Sequence, residues 1–335
     1  MFLSLIIPVY NRPEELRELL ASLARQTDPD FEVIVVEDGS TETSESVARS
    51  FQTCSDDEAP SMGSLSLRYH AKLNTGPGLS RNEGAALARG DFFVFLDSDC
   101  VLPPEYVAAV KAGIERTGCD VFGGPDRAGD DFSPMQKAVS YSMTSFFTTG
   151  GIRGGGEKME KFHPRSFNMG VSRKAFESLG GFSGMRYGED IDFSIRLMRA
   201  GCKSVLLKDA WVCHKRRTNM RAFFRQVFHS GQARIRLERR HPRSLKAVHA
   251  LPALFTLGSF LLLAGFLGCL LTGSLRPALG CLAPLVLYAL IIYLDSLFRN
   301  GPKVALLSVE AAFVQLWGYG CGFISALFCS SNYSK

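Results

Sequence analysis

Asp97 and Asp99 stand one residue apart, directly after the apolar run Phe92–Leu96. Two carboxylates so spaced at the end of a buried strand offer oxygen to a hard divalent cation, Mg2+ or Mn2+, which keeps several waters and takes phosphate oxygens as further ligands. A cation there stabilises charge developing on a departing diphosphate. Acidic turns after strands are also common, so position decides. Asp38 independently ends the run that starts at Phe31, and it has two readings: an Asx turn with Gly39, or an acceptor for hydrogen bonds from a nucleobase or ribose. Glu189, Asp190 and Asp192 cluster in one short block. At a helix start they suit the helix dipole. His214 follows the strand-like stretches 204–207 and 211–213; it reads as a third metal ligand, a diphosphate contact or a surface histidine in a basic segment. The glycine-rich stretch 150–156, with Arg153, Lys158, Lys161, His163 and Arg165 in and after it, reads as a closing loop that offers cations to phosphate or as a plain surface loop.

These residues need a frame. Leu3–Tyr10 is rich in strand formers and ends at Asn11-Arg12-Pro13, after which Leu16, Leu19, Leu20 and Leu23 recur at helical spacing. Further strands are expected at 31–36, 65–70 and 91–96, with helices at 44–51 and 80–88 between them. Strands alternating with helices predict a doubly wound, mostly parallel α/β sheet, whose ligands gather beyond the carboxyl ends of the strands. Asn11, Asp38 and Asp97 sit at those ends.

Six blocks, in order, resemble glycosyltransferase family 2 with the GT-A fold. They are Ile7-Pro8-Val9-Tyr10-Asn11-Arg12, Val35-Val36-Glu37-Asp38-Gly39-Ser40, 74–82, Phe95-Leu96-Asp97-Ser98-Asp99, 167–173, and 180–182 with 187–193. The resemblance covers roughly residues 2–240 and implies a nucleotide-diphosphate sugar as donor. Position by position it implies Pro8, Tyr10 and Asp38 in the nucleotide pocket, Arg81 and Asn82 at the helix start beside the nucleotide, and Asp97 and Asp99 as ribose- and metal-binding carboxylates. It also implies Asp190 as the general base of an inverting displacement, with Glu189 the competing candidate. Processive relatives carry Gln-x-x-Arg-Trp; here Gln226 is followed by no Arg-Trp, so transfer of a single sugar is expected. Two other classes stay open, a nucleotidyltransferase on a similar fold and a catalytically silent membrane scaffold.

Charge divides the chain. Of 38 Lys+Arg and 33 Asp+Glu, only Arg276, Asp295, Arg299, Lys303, Glu310 and Lys335 follow Ala247. The last 88 residues therefore lack the polar groups to cover a soluble globule. Apolar runs at about 251–271, 278–298 and 304–328 each reach the roughly 20 residues that cross a bilayer core. The expected organisation is a catalytic domain over 1–240, a basic linker over 241–250 and three transmembrane helices over 251–328. From Trp211 to Lys246, eleven Lys and Arg face Glu238 alone. Beside an apolar tail this reads as a polybasic segment facing anionic lipid, not as a nucleic-acid site. Residues 223–228 suit an amphipathic helix lying on that surface. The positive charge near 239–246 and at Arg299 and Lys303 predicts a cytoplasmic catalytic domain at the inner membrane, with Lys335 outside. Nine cysteines without CxxC spacing fit a reducing compartment, and the N-terminus lacks the basic start of a secretory signal. A membrane placement points to a glycan or polyprenyl-linked lipid acceptor.

Overall fold

The computed structural model describes residues 1–52, 64–127, 132–149 and 164–329. Chain order is β1 (Leu3–Val9), α1 (Pro13–Leu23), β2 (Phe31–Asp38), α2 (Glu45–Phe51), β3 (Leu67–Lys72), α3 (Pro77–Leu87), β4 (Phe92–Leu96), β5 (Cys100–Val101), α4 (Tyr106–Thr117), β6 (Val121–Gly123) and β7 (Asp126–Arg127). Then come α5 (Pro134–Thr144), α6 (Phe146–Thr149), β8 (Asn168–Ser172), α7 (Arg173–Ser178), α8 (Glu189–Arg199), β9 (Ser204–Leu206), β10 (Val212–His214) and α9 (Met220–Arg240). The chain ends in α10 (Leu251–Leu271), α11 (Leu275–Asn300) and α12 (Pro302–Phe328). Two compact units form, one from 1–129 with 159–215, the other from 130–158 with 216–335.

In the first unit a seven-stranded sheet runs β3-β2-β1-β4-β8-β6-β9. β3, β2, β1 and β4 are mutually parallel, and β8 is antiparallel to β4 and β6. The alternating elements read from the sequence are therefore present, as a mostly parallel sheet. β2 is buried along its whole length, as a strand covered on both faces must be, which is why Val33–Val36 is a continuous apolar run. Pro8 lies past the last position at which β1 pairs with β4, Ile6↔Phe95, so its missing N–H costs no ladder bond on that side. One core lies under α1 and α4, built on Leu5, Ile7, Leu16, Leu20, Val33 and Val110. The other lies under α3, α7 and α8, with Phe93, Phe95, Phe176, Phe182 and Phe193 in edge-on and tilted ring contact.

The second unit gathers α5, α6, α9 and the three apolar helices. α10, α11 and α12 are each long and apolar enough to cross a membrane. Phe223 and Val227 of α9 are buried with Ala138, Val139 and Met143 of α5 and with Val304 and Ala311 of α12.

Candidate functional site

Buried carboxylates of the first unit, Asp38 and Asp99, stand at the carboxyl ends of β2 and β4. Asn11, at φ 51°, turns the chain after β1; its Oδ1 accepts from Thr41 N at 2.8 Å and Glu42 N at 3.1 Å, tying the β1 end to the β2 end. Pro8 is half-buried and Tyr10 is exposed at this rim. Asp38 is buried, and its carboxylate is already engaged. Lys72 Nζ donates to Oδ1 at 2.7 Å, Thr75 N to Oδ1 at 2.9 Å and Gly76 N to Oδ2 at 2.9 Å. Asp38 thereby shapes the loop that opens α3 and keeps only part of its acceptor capacity for a ligand. Gly39 allows this approach, since at φ +69° a Cβ would stand 2.6 Å from Asn74 N.

α3 carries the next link. Arg81 is buried, and its guanidinium donates to Asp97 Oδ1 at 2.7 Å and to Glu189 Oε1 at 2.9 Å, while packing over the Phe182 ring. A charge taken out of water needs partners, and Arg81 has two. Asn82 turns away: its amide gives Nδ2 to Phe182 O and takes Phe182 N, each at 2.8 Å, which locks the turn before α8. The nucleotide-binding pair read from the sequence thus divides, with Arg81 inside the carboxylate cluster and Asn82 in a structural clamp.

Gly188, at φ 84°, starts α8, and its first turn bears Glu189, Asp190 and Asp192. Consecutive helical residues point about 100° apart, so Glu189 meets Arg81 whereas Asp190 Oδ2 accepts from Arg165 Nε at 2.6 Å. Asp190 Oδ1 takes Ile191 N at 2.8 Å. Burial pushes the Glu189 carboxyl up, to about 7, with the Asp190 charge adding to it against the pull of Arg81. Burial also raises Asp190, but the Arg165 guanidinium outweighs it and holds that carboxyl below the usual range. Asp192 pairs with Arg196 at 3.0 Å and braces the helix.

Asp99 belongs to a second group. A three-stranded sheet, β5-β10-β7, pairs His214 with Cys100 and so brings a histidine from late in the chain to the end of β4. His214 Nε2 lies 3.0 Å from Asp99 Oδ1, off the line of a hydrogen bond, and the ring stacks on Phe167 at 5.0 Å. Asp99 Oδ2 accepts from Arg12. Burial raises the Asp99 carboxyl, yet His214 and Arg12 outweigh it and hold the group well below the ordinary carboxylate range. Asp99 Oδ1 and His214 Nδ1 are buried without a hydrogen-bond partner. Ligand atoms of Asp99, Cys100 and His214 all lie within 4.8 Å of one another, close enough to hold a metal ion. A carboxylate and an imidazole suit manganese, whereas the Cys100 thiol is raised by burial, stays protonated and faces Phe167 O. The residues present fit such an ion, and its identity rests on Asp99 and His214, not on the sulfur.

Sequence reasoning missed Arg12 as the partner of Asp99 and Lys72 as the partner of Asp38. The second was findable, because β2 and β3 pair Asp38 directly with Lys72. Of the glycine-rich stretch, 150–156 and the cations Arg153, Lys158, Lys161 and His163 lie outside the described residues; Arg165 is the part that reaches the site.

The sequence pattern of glycosyl transferase family 2 matches residues 4–180. Among characterised proteins, the glycosyltransferase AglE of Haloferax volcanii is 29% identical over 264 residues, covering 78% of this chain and 81% of AglE. Validoxylamine A glucosyltransferase of Streptomyces hygroscopicus subsp. jinggangensis is 39% identical over 114 residues, which cover 33% of this chain and 25% of that enzyme. Among solved structures, the mannosyltransferase PcManGT of Pyrobaculum calidifontis, in complex with GDP-Man and Mn2+, aligns with a TM-score of 0.53 at 20% identity, over 94% of this chain and 87% of that one. TarS of S. aureus aligns with a TM-score of 0.50 at 18% identity, over 95% of this chain and 55% of TarS.

Proposed function

The chain belongs to glycosyl transferase family 2, and within that family we propose that it is a membrane-anchored, inverting enzyme. It moves one sugar from a nucleotide-diphosphate sugar to a hydroxyl or phosphate of a lipid-linked acceptor in surface polysaccharide or glycolipid synthesis. The observation that carries this reading is the pair of linked groups at the end of β4. Asp97, Arg81 and Glu189 lead to Asp190 on one side, and Arg12, Asp99 and His214 lie on the other. Pro8, Tyr10 and the loop shaped by Asp38 receive the nucleotide at the adjoining strand ends. Asp97, Asp99 and His214 would hold Mg2+ or Mn2+, and the Mn2+ complex of PcManGT supports that choice. The ion, when bound, neutralises charge on the departing diphosphate.

Asp190 accepts the acceptor proton. Arg165 keeps this carboxylate free of a proton before reaction, and proton transfer requires that pair to loosen as the acceptor enters. Glu189 is the second reading, favoured by an acidity near 7, where a general base works best; against it stands its ion pair with Arg81. The tail and the basic segment before it support a catalytic unit held at the cytoplasmic face of the inner membrane.

Transfer assays on membranes carrying the full chain test the assignment. Asp190→Asn should slow transfer by about 10²–10⁴-fold, and Asp97→Ala with Asp99→Ala should abolish response to added Mn2+. Full transfer by both variants sinks these roles, a large loss in Glu189→Gln alone moves the base to Glu189, and release of pyrophosphate in place of nucleoside diphosphate makes the chain a nucleotidyltransferase.

A further inference from the structure

The three apolar helices are not equivalent. α10 and α11 pair antiparallel: the Phe255 and Tyr288 rings are 5.1 Å apart, and a Cβ on Gly265 would stand 3.2 Å from Cys281 Sγ. The start of α10 and the end of α11 therefore share one end of a hairpin, and the Thr272–Ser274 turn forms the other. α12 has 27 residues and is about 40 Å long. Running beside this hairpin across a bilayer, it would begin near Asn300 and finish near Thr272.

Its contacts lead elsewhere. Ser308 meets Ser296 at 2.8 Å, near the end of α11. Thr256 donates to Leu316 O at 3.2 Å, and Gly320 packs on Pro252 O, at the start of α10. Phe323 and Ala326 are buried with Ala253 and Ile235, and Ala326 O accepts from Arg239 Nη2 at 2.8 Å. Both ends of α12 thus lie at the same end of the hairpin.

The helix on its other flank says the same independently. α9 runs parallel to α12, with Val227 against Gly318, Phe228 O against Gly322, Gln232 bonded to Ser325 and Arg239 to Ala326. α9 carries Arg221, Arg225, Arg234, Arg236, Arg239 and Arg240. At roughly 2.5–3.5 kcal/mol for each arginine near the bilayer centre, α9 stays out of hydrocarbon, and a helix packed along it stays beside it. Exposure agrees: no residue of α12 from Ala311 to Ala326 is exposed, whereas α10 exposes Leu254, Leu257, Phe260, Leu261 and Leu267.

We propose that α12 does not cross the bilayer. The α10–α11 hairpin alone spans it, and α12 lies along the membrane surface at the basic end of that hairpin, under α9 and α5. Glu310, exposed on α12, then reaches the headgroup layer instead of hydrocarbon. The C-terminal end of α12 faces the side on which α9 lies, so the chain leaves and enters the membrane on one side.

Side-specific labelling tests this on the full chain in sealed membrane vesicles of both orientations. A membrane-impermeant maleimide is applied to the protein carrying Ser274→Cys in the hairpin turn and Ser50→Cys on α2, and labelled sites are read by peptide mass spectrometry. Cys329, exposed just past α12, should label from the side that labels Ser50→Cys, and Ser274→Cys from the opposite side. Labelling of Cys329 together with Ser274→Cys, or from neither side, overturns the proposal. A reporter fused after residue 329, active only on the cytosolic side, gives the same reading without labelling Cys329: activity there, alongside a cytosolic Ser50→Cys, supports the surface course, and silence overturns it. Neither measurement depends on sugar transfer.

Discussion

Replacing Arg81 by methionine should destabilise the first unit by an amount that grows with pH. The side chain fills similar volume, so the loss is mainly of charge, leaving Asp97 and Glu189 without their shared cation. Removing one member of a buried ion pair costs about 3–5 kcal/mol. The lower figure applies here, because Asp97 is 33% exposed and water takes over its solvation. Glu189 is 8% exposed and escapes instead by taking a proton. In the parent protein its carboxyl titrates near 7, raised by burial from an unfolded value near 4.5. Its contribution to stability therefore falls between those values and is level above 7. Without Arg81 the folded carboxyl keeps its proton above pH 7 while the unfolded chain has none, so stability continues to fall by about 1.4 kcal/mol per pH unit. From pH 7.0 to 8.5 the penalty should rise by about 2 kcal/mol, or about 4–8 °C of apparent melting temperature for a unit of this size. Thermal unfolding of the full chain in one detergent at both pH values, with parent and Arg81→Met side by side, measures it. A penalty that is constant with pH, or smaller at pH 8.5, refutes the claim that Arg81 holds Glu189 ionised.

Two further outcomes follow from the packing. Lys72→Met removes the cation from buried Asp38, whose two backbone donors remain; about 3 kcal/mol should be lost, with a raised KM for the nucleotide donor, and an unchanged KM would detach this loop from donor binding. Gly322→Ala puts a Cβ 1.9 Å from Phe228 O and should cost about 1–3 kcal/mol, whereas Gly268→Ala, with open space around it, should be neutral or stabilising; equal melting temperatures would remove the close α9–α12 contact.

Much of the first unit could be read from residue order because its determinants are local. Apolar runs of strand length, Pro13 and Pro77 at helix starts, and Gly39 and Gly188 where positive φ is required each act within a few residues. The placing of Asp38 and Asp97 at strand ends followed, since a parallel sheet collects its carboxyl ends on one edge. The partners did not follow. Arg81 reads as a nucleotide contact from its motif, but its buried position between Asp97 and Glu189 depends on how α3 and α8 meet. Asp190 reads as a base from its block, while its lowered pKa comes from Arg165, which sequence alone reads as a cation of a phosphate-closing or plain surface loop.

The tail draws the same boundary. Sequence by itself determined that the chain ends in helices long and apolar enough for a bilayer, because hydropathy is a sum over neighbours along the chain. It also determined that carboxylates would stand at the strand ends. Only the tertiary structure decided which charge each carboxylate faces, that β10 brings His214 to Asp99, and that α12 shares its length with the arginine-bearing α9. Those are contacts between residues far apart in the chain, and their energies depend on distance and burial that no residue carries alone.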